Sequence, residues 1–277
     1  MTASPHPDPA LLPELQDRLE AALGLARPAV AATFHATPAE HEASPLPGLK
    51  RAMSYCSLLR LALLGHARKA DLSGMRCPGA RRALGLIPPD AEFTSGRRYL
   101  SLGLYADQER ARQTAARVAT MPGPMHGVAV QPLRTCTALP HVVILVCSPY
   151  QAMRLAQGWV WGHGPLEAMT SLGAQGVCAE LTVLPHLAGR PNVSLLCSNT
   201  RYDCAWEDGE VGVGIPSAAF AETVRGVLAT LDAAEPDRRK RDIALRSREN
   251  GSGLAPRPGA AYFLKPSAPA SDSGGRP

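Results

Sequence analysis

The sequence has no long apolar run: its longest aliphatic stretch, residues 142–146, is far shorter than the ~20 apolar residues that span a bilayer. Residues 1–10 also lack the basic and then apolar pattern of a signal peptide. We therefore expect a cytoplasmic protein that is not embedded in a membrane. Glycine and proline are abundant instead, with 25 and 26 of 277 residues, which predicts many turns or irregular ends.

Outside residues 235–277, positive and negative side chains are nearly equal in number. The formal net charge is +5, but residues 235–277 alone hold nine Lys or Arg and five Asp or Glu. Residues 238–241 form one basic cluster beside a Gly/Pro/Ser-rich stretch, without the basic face interleaved with aromatics that nucleic-acid-binding domains carry. We expect a solvated tail here, and nucleic acid is not a favoured partner.

Familiar cofactor motifs are missing as well. The sequence has no Rossmann or phosphate-loop fingerprint, and its Gly212 to Gly214 step lies inside a predicted strand rather than at a strand-to-helix turn. The seven cysteines are an odd set without a CxxC pair, which argues against a zinc ribbon or a thioredoxin-type site. Cytoplasmic cysteines seldom form disulfides, so these residues are either buried apolar side chains or a site assembled from distant positions.

Apolar periodicity predicts an α/β or α+β fold with one mixed sheet covered by helices. Helices are expected over residues 11–25, 49–65, 107–120, 149–161 and 218–231, and strands over 30–34, 99–105, 128–133, 142–147, 192–197 and 211–215. Residues 128–161 and 192–231 share the order strand, loop, strand, helix, which indicates either two related halves or a chance similarity. The expected organisation is a leader and N-terminal helix over 1–27, a single globular domain over 28–232, and a disordered basic tail over 233–277.

The local settings of the cysteines separate them. Cys136 and Cys147 lie in or beside apolar strands, where core packing is the expected role. Cys77, Cys178 and Cys197 lie in loops or at a strand end, where ligands are usually presented. Thiolates from several such places could converge on a soft metal or an iron–sulfur cluster. Spacing alone places Cys56 on the apolar stripe of its predicted helix, where core packing is the expected role.

Six stretches of the chain form a recognisable set: 51–56 (RAMSYC), 77–86 (CPGARRALGL), 151–157 (QAMRLAQ), 177–180 (VCAE), 189–197 (GRPNVSLLC) and 209–216 (GEVGVGIP). Together they resemble domain of unknown function family 169 over about residues 28–232. The resemblance implies four site cysteines, namely Cys56, Cys77, Cys178 and Cys197. No established reaction accompanies the resemblance, so it points to site residues rather than to a function.

Four thiolates suit a cuboidal iron–sulfur cluster or a tetrahedral metal, and three with one spare would leave the metal open to substrate. Arg81, Arg190 and Arg201 stand near these cysteines in the sequence and are expected to bind an anion or to offset the charge of a thiolate centre. Glu180, two residues after Cys178, is the candidate general acid or base.

Three functions remain open at this point. The one we adopt is an iron–sulfur or soft-metal protein with a redox or accessory role, which acts on a small anionic substrate or with a redox partner protein. The second is a metal-free enzyme in which Cys77 or Cys197 is the nucleophile. The third is a module that binds a small anionic ligand through the three arginines, with every cysteine in a structural role.

Overall fold

The structure, a computed structural model, describes residues 8–262, so residues 1–7 of the predicted leader and 263–277 of the predicted tail lie outside it. The helices in this range are α1 (Leu12–Leu23), α2 (Pro38–Ala43), α3 (Tyr55–Leu63), α4 (Pro78–Ala83), α5 (Ala91–Thr94), α6 (Arg97–Leu100), α7 (Gln108–Ala115), α8 (Pro149–His163), α9 (Leu184–Ala188), α10 (Ser198–Cys204), α11 (Ser217–Ala229), α12 (Leu231–Ala234) and α13 (Asp237–Glu249). The strands are β1 (Val30–His35), β2 (Arg68–Asp71), β3 (Gly127–Pro132), β4 (Val142–Cys147), β5 (Asn192–Ser194) and β6 (Val211–Pro216). A π-helix spans Gly176–Val183, and short 3-10 helices cover Pro9–Leu11 and Leu133–Thr135.

The six strands form one sheet in the order β2-β3-β1-β4-β6-β5. The expected α/β or α+β fold is confirmed, and every neighbouring pair of these strands is antiparallel rather than mixed, which is the α+β arrangement. The two segments of similar order differ in topology. β5 pairs directly with β6, whereas β1 lies between β3 and β4.

Helices cover both faces of the sheet, and β4 shows why its sequence is a continuous apolar run. Ile144 and its alternate neighbours face a core formed with α3, α4 and the π-helix. Leu145 and its alternate neighbours face a second core formed with α1, α8, α11 and α13. A strand that is buried on both faces needs apolar side chains at every position. None of the helices within residues 8–262 is long and apolar enough to cross a bilayer.

Part of the predicted disordered tail is a packed helix, so that prediction is wrong over residues 237–249. α13 packs against α1 and buries Ile243 and Lys240. The Lys240 Nζ atom donates a hydrogen bond to the carbonyl oxygen of Arg257 at 2.7 Å. The helix carries few apolar residues and buries the whole side chain of a lysine, so apolar periodicity did not reveal it.

The predicted strand over residues 99–105 is also wrong. The chain forms α6 and a turn there, and Tyr99 packs edge-to-face with Phe93 and Tyr105 at ring distances of 5.7 and 6.1 Å. These contacts belong to a small apolar cluster of their own, to which Ala111 and Ala174 also contribute. Local aromatic packing therefore replaces the sheet pairing that the sequence pattern predicted.

Three histidines meet where β1 ends and β3 begins. The Nδ1 atoms of His35 and His41 are 3.0 Å apart, and the ring centre of His41 lies 5.2 Å from that of His126. Lys69 reaches the same place and donates a hydrogen bond to the carbonyl oxygen of His41 at 2.5 Å. Burial, followed by the nearby His41 and Lys69, lowers the pKa of His35 to about 4. Burial and Lys69 also lower the pKa of His41.

We expect the fold to lose stability as the pH falls from about 6.5 to about 4. In this window His35 is protonated in the unfolded chain but stays neutral in the folded chain, because its pKa is lower in the folded state. Protonation therefore favours the unfolded state. His35→Gln should remove roughly 1 kcal/mol of this loss in urea unfolding measured across the window, a value discounted for partial solvent screening. The exposed His66 supplies the control, since His66→Gln should keep the wild-type pH dependence. An unchanged pH dependence in His35→Gln would contradict the assignment.

Candidate four-cysteine site

Four cysteines line one cavity on the side of the sheet covered by α3, α4 and the π-helix. The cavity has a volume of about 370 Å³, and its wall includes Cys56, Cys77, Cys178 and Cys197. Each cysteine comes from a different segment: α3, the N-cap of α4, the π-helix and the N-cap of α10. The structure therefore brings together all four residues that were predicted as metal ligands.

Unusual backbone conformations let these segments meet. Gln175 and Leu196 adopt φ angles of 56° and 71°, a left-handed region that is costly for residues other than glycine. Between them, Gly176 approaches the neighbouring chain so closely that an added Cβ atom would lie 2.8 Å from Leu196 Cα and 3.1 Å from Cys197 N. Because residue 176 is a glycine, which alone fits there, the π-helix that carries Cys178 can lie beside the start of α10. π-Helical turns occur frequently at functional sites.

Polar groups contact the sulfur atoms of three site cysteines. The hydroxyl of Thr200 lies 3.3 Å from Cys56 Sγ and 3.1 Å from Cys197 Sγ, so one buried side chain links two of the cysteines. Cys178 Sγ donates to the carbonyl oxygen of Gln175 at 3.8 Å. The sequence analysis did not identify Thr200 or Gln175 as partners of the site cysteines. Their spacing is the signal that could have found them, because Thr200 lies three residues after Cys197 and Gln175 three residues before Cys178.

Burial dominates the electrostatics of the thiols. It raises the pKa of Cys77, although the backbone N–H groups of Ala80 and Gly79 oppose the shift. Burial also raises the pKa of Cys178 well above the ordinary value, and the nearby Cys77 raises it further. Both groups are therefore neutral thiols at neutral pH unless a cation compensates the thiolate charge.

The mouth of the cavity is formed by the segment around α6. Leu102 and Leu104 are 47% and 56% exposed, and Arg98 and Phe93 lie on the same wall. Tyr99 also lines the cavity and accepts a hydrogen bond from the side-chain amide of Gln175. The opening thus combines apolar side chains with one positive charge.

The three predicted anion-binding arginines are not part of the cavity wall and instead hold backbone carbonyl groups. Arg81 Nε donates to the carbonyl oxygen of Met75 at 2.5 Å, and Arg190 donates to that of Ala168. Arg201 donates to the carbonyl oxygens of Leu195, Glu207 and Glu210 at 3.1, 2.7 and 3.1 Å. In this geometry each arginine orders a loop.

Glu180 is buried in the π-helix but does not line the cavity. Its carboxylate accepts hydrogen bonds from the backbone N–H of Leu172 at 2.5 Å, from the hydroxyl of Ser171 at 3.2 Å and from the hydroxyl of Ser194. Burial raises the pKa of Glu180, and these hydrogen bonds oppose the shift. The side chain joins residues 171–172 to the end of β5, and its role as an acid or base stays a prediction.

The other three cysteines lie away from the cavity wall. Cys136 and Cys147 belong to the core on the opposite face of the sheet, and burial raises the pKa of both to about 12. Cys204 is buried in the core on the site face. All seven cysteines fall within the described residues, and none of them is in a disulfide. Over the same residues, no group of three or more His, Cys, Asp or Glu side chains is arranged to hold a metal ion.

Fold and site together define an antiparallel α+β domain with a four-cysteine cavity on the face of its sheet that the π-helix covers. Comparison with known proteins identifies the family of this domain. The chain belongs to domain of unknown function family 169 (DUF169), described as uncharacterised ArCR. The family model matches residues 18–226. An uncharacterized protein of Methanocaldococcus jannaschii, MJ0308, is 23% identical over 176 residues, which cover 62% of this chain and 75% of that protein. No solved structure matches the chain.

Proposed function

We propose that the four-cysteine cavity binds an iron–sulfur cluster or another thiolate-bound metal centre and that the protein has a redox or accessory role. The observation that carries the proposal is the convergence of four cysteines from four separate segments on one cavity of about 370 Å³. A purely structural set of buried cysteines has no need to share a cavity, as Cys136 and Cys147 illustrate.

The donor set fits such a group, because cysteine thiolates are the ligands that iron–sulfur clusters select. Cys56, Cys77, Cys178 and Cys197 would hold it, and a bound cluster would supply one-electron transfer. A cluster would spread its four thiolate ligands over several iron atoms, whereas a single ion would be bound by all four at once.

The protonation of Cys77, one of the two candidate nucleophiles, also favours a metal over metal-free catalysis at that residue. A catalytic cysteine needs a lowered pKa, whereas burial raises the pKa of Cys77. A metal reverses this cost, because it stabilises the thiolates and releases their protons on binding. The anion-binding alternative gains no support from Arg81, Arg190 or Arg201, which contact carbonyl groups away from the cavity.

Residues around the cavity would adjust the centre. Thr200 places one hydroxyl against the sulfurs of Cys56 and Cys197, and hydrogen bonds to ligand sulfurs are a means of setting a reduction potential. Arg98 and Leu104 at the mouth present a positive charge and an apolar surface. This mouth suits a small anionic substrate with apolar parts.

The test is the iron, sulfide and zinc content of protein purified without oxygen, together with its visible spectrum. We expect about four iron and four sulfide per chain for a cuboidal cluster. Cys77→Ala and Cys197→Ala should lose most of both. Cys136→Ala is the matched control: it removes a buried sulfur on the other face of the sheet and should retain the metal.

Two results would contradict the proposal. One is a folded wild-type protein that stays colourless and metal-free after anaerobic reconstitution with iron and sulfide. The other is equal loss of metal in Cys136→Ala and Cys77→Ala, which would trace the loss to destabilisation rather than to missing ligands. Zinc without sulfide, lost in the two site variants only, would identify the alternative thiolate-bound metal.

A further inference from the structure

A second cavity lies on the opposite side of the sheet, where the end of α1, the start of α8 and α13 meet. Its volume is about 480 Å³. Three of its wall residues are arginines of α13, namely Arg238, Arg239 and Arg246. Cavities of this size accommodate small organic ligands, and concentrated guanidinium groups within one of them indicate an anionic ligand.

Arg239 is held by an aromatic ring. Its guanidinium carbon lies 3.6 Å from the centre of the Tyr150 ring, and Tyr150 in turn donates a hydrogen bond to Glu235 at 2.7 Å. Stacking occupies a face of the guanidinium and leaves its in-plane N–H groups able to donate. The ring thus positions a fork of donors at the cavity wall before any ligand binds.

Arg246 is held by the C-terminal end of α1. Its Nε atom donates to the carbonyl oxygen of Ala21 at 2.9 Å, and the guanidinium lies over Gly24. A Cβ atom on Gly24 would lie 3.1 Å from Arg246 Cζ, and the φ angle of Gly24 is +65°. Gly24 therefore allows both the left-handed conformation at the end of α1 and the close approach of Arg246.

The charge balance of the cavity is positive. Glu235 is on the wall, but its carboxylate already accepts hydrogen bonds from Arg154 at 2.9 Å and from Tyr150. Asp242 is the other acidic side chain of the wall, against the three arginines. An anion with two or more negative charges would balance this excess, and forked guanidinium donors match phosphate oxygens.

We propose that this cavity binds a small anion that carries phosphate groups, either free pyrophosphate or the phosphates of a nucleotide. The site is independent of the cysteine cavity, because the sheet separates the cores to which they belong. The arginines that carry the proposal lie in α13, which follows residue 226, the last residue that the family model matches.

The test is calorimetric titration of the full chain with pyrophosphate, ADP and citrate. We expect Arg239→Ala and Arg246→Ala to weaken pyrophosphate binding about tenfold or more, because each removes charge-assisted hydrogen bonds. Arg241→Ala removes the same charge from an exposed position of α13 outside the cavity and should change the affinity less than about twofold. Asp242→Asn should tighten binding, an effect that loss of folding cannot produce.

The ligands distinguish the two phosphate sources. Comparable binding of ADP and pyrophosphate would identify the phosphates of a nucleotide, and pyrophosphate binding without ADP binding would identify the free anion. Absence of binding at millimolar pyrophosphate would overturn the proposal. So would equal weakening by Arg241→Ala and Arg239→Ala, which would assign any binding to the overall charge of α13, and citrate binding as tight as that of pyrophosphate.

Discussion

Gly214→Ala is expected to destabilise the fold by about 3 kcal/mol and to displace the segment that carries Cys178. Gly214 lies in β6, where an added Cβ atom would sit 2.1 Å from the backbone oxygen of Leu181 and 2.7 Å from Pro185 Cγ. A backbone oxygen within a buried helix cannot rotate away as a side chain can. The π-helix would have to move off the sheet, and Leu181 is three residues from Cys178.

Urea unfolding and the iron content per folded chain measure the two parts of this prediction. Gly209→Ala is the control, because an added Cβ atom at Gly209 meets no atom within 4 Å and should change stability by less than about 0.5 kcal/mol. At Gly212 the added atom meets mainly the side chain of Leu181, at 2.2 Å, so Gly212→Ala should cost less than Gly214→Ala. Equal midpoints for Gly214→Ala and Gly209→Ala would show that the π-helix does not press on β6.

Much of the fold could be predicted because its signals are local. The apolar stripe that begins at Leu12 gave α1, the spacing through Leu59 gave α3, and the run at Val142 gave β4. Strand order could not be predicted in this way. It depends on pairings such as that of Val30 with Ile144, which join residues far apart in the sequence.

The candidate site was predictable in its residue types but not in its construction. The family resemblance named the four cysteines, and the structure places them on one cavity. Nothing in the sequence marks the left-handed conformations of Gln175 and Leu196 or the π-helical turn between them, because these arise from close packing of distant segments. The positions of the Arg81, Arg190 and Arg201 side chains could not be predicted for a related reason. Proximity in sequence to Cys77 or Cys197 does not determine where a long side chain points.

The second large effect is expected at a buried ion pair that joins α8 to the residue that follows α12. Arg154 is completely buried, and its Nε atom donates to Glu235 at 2.9 Å. Its Nη2 atom donates to the carbonyl oxygen of Val227 at 3.1 Å and to the hydroxyl of Thr230 at 3.0 Å. A single guanidinium therefore links α8, α11 and the chain that leads into α13.

Arg154→Met should destabilise the fold by about 3–5 kcal/mol, because it leaves the Glu235 carboxylate buried without its cation. The double variant Arg154→Met/Glu235→Leu should recover most of that loss in urea unfolding, since it removes the uncompensated charge as well. Arg134 forms an exposed pair with Asp17, and Arg134→Met should cost less than about 1 kcal/mol. If the double variant were as unstable as Arg154→Met, the loss would come from the hydrogen bonds to α11 rather than from the buried carboxylate.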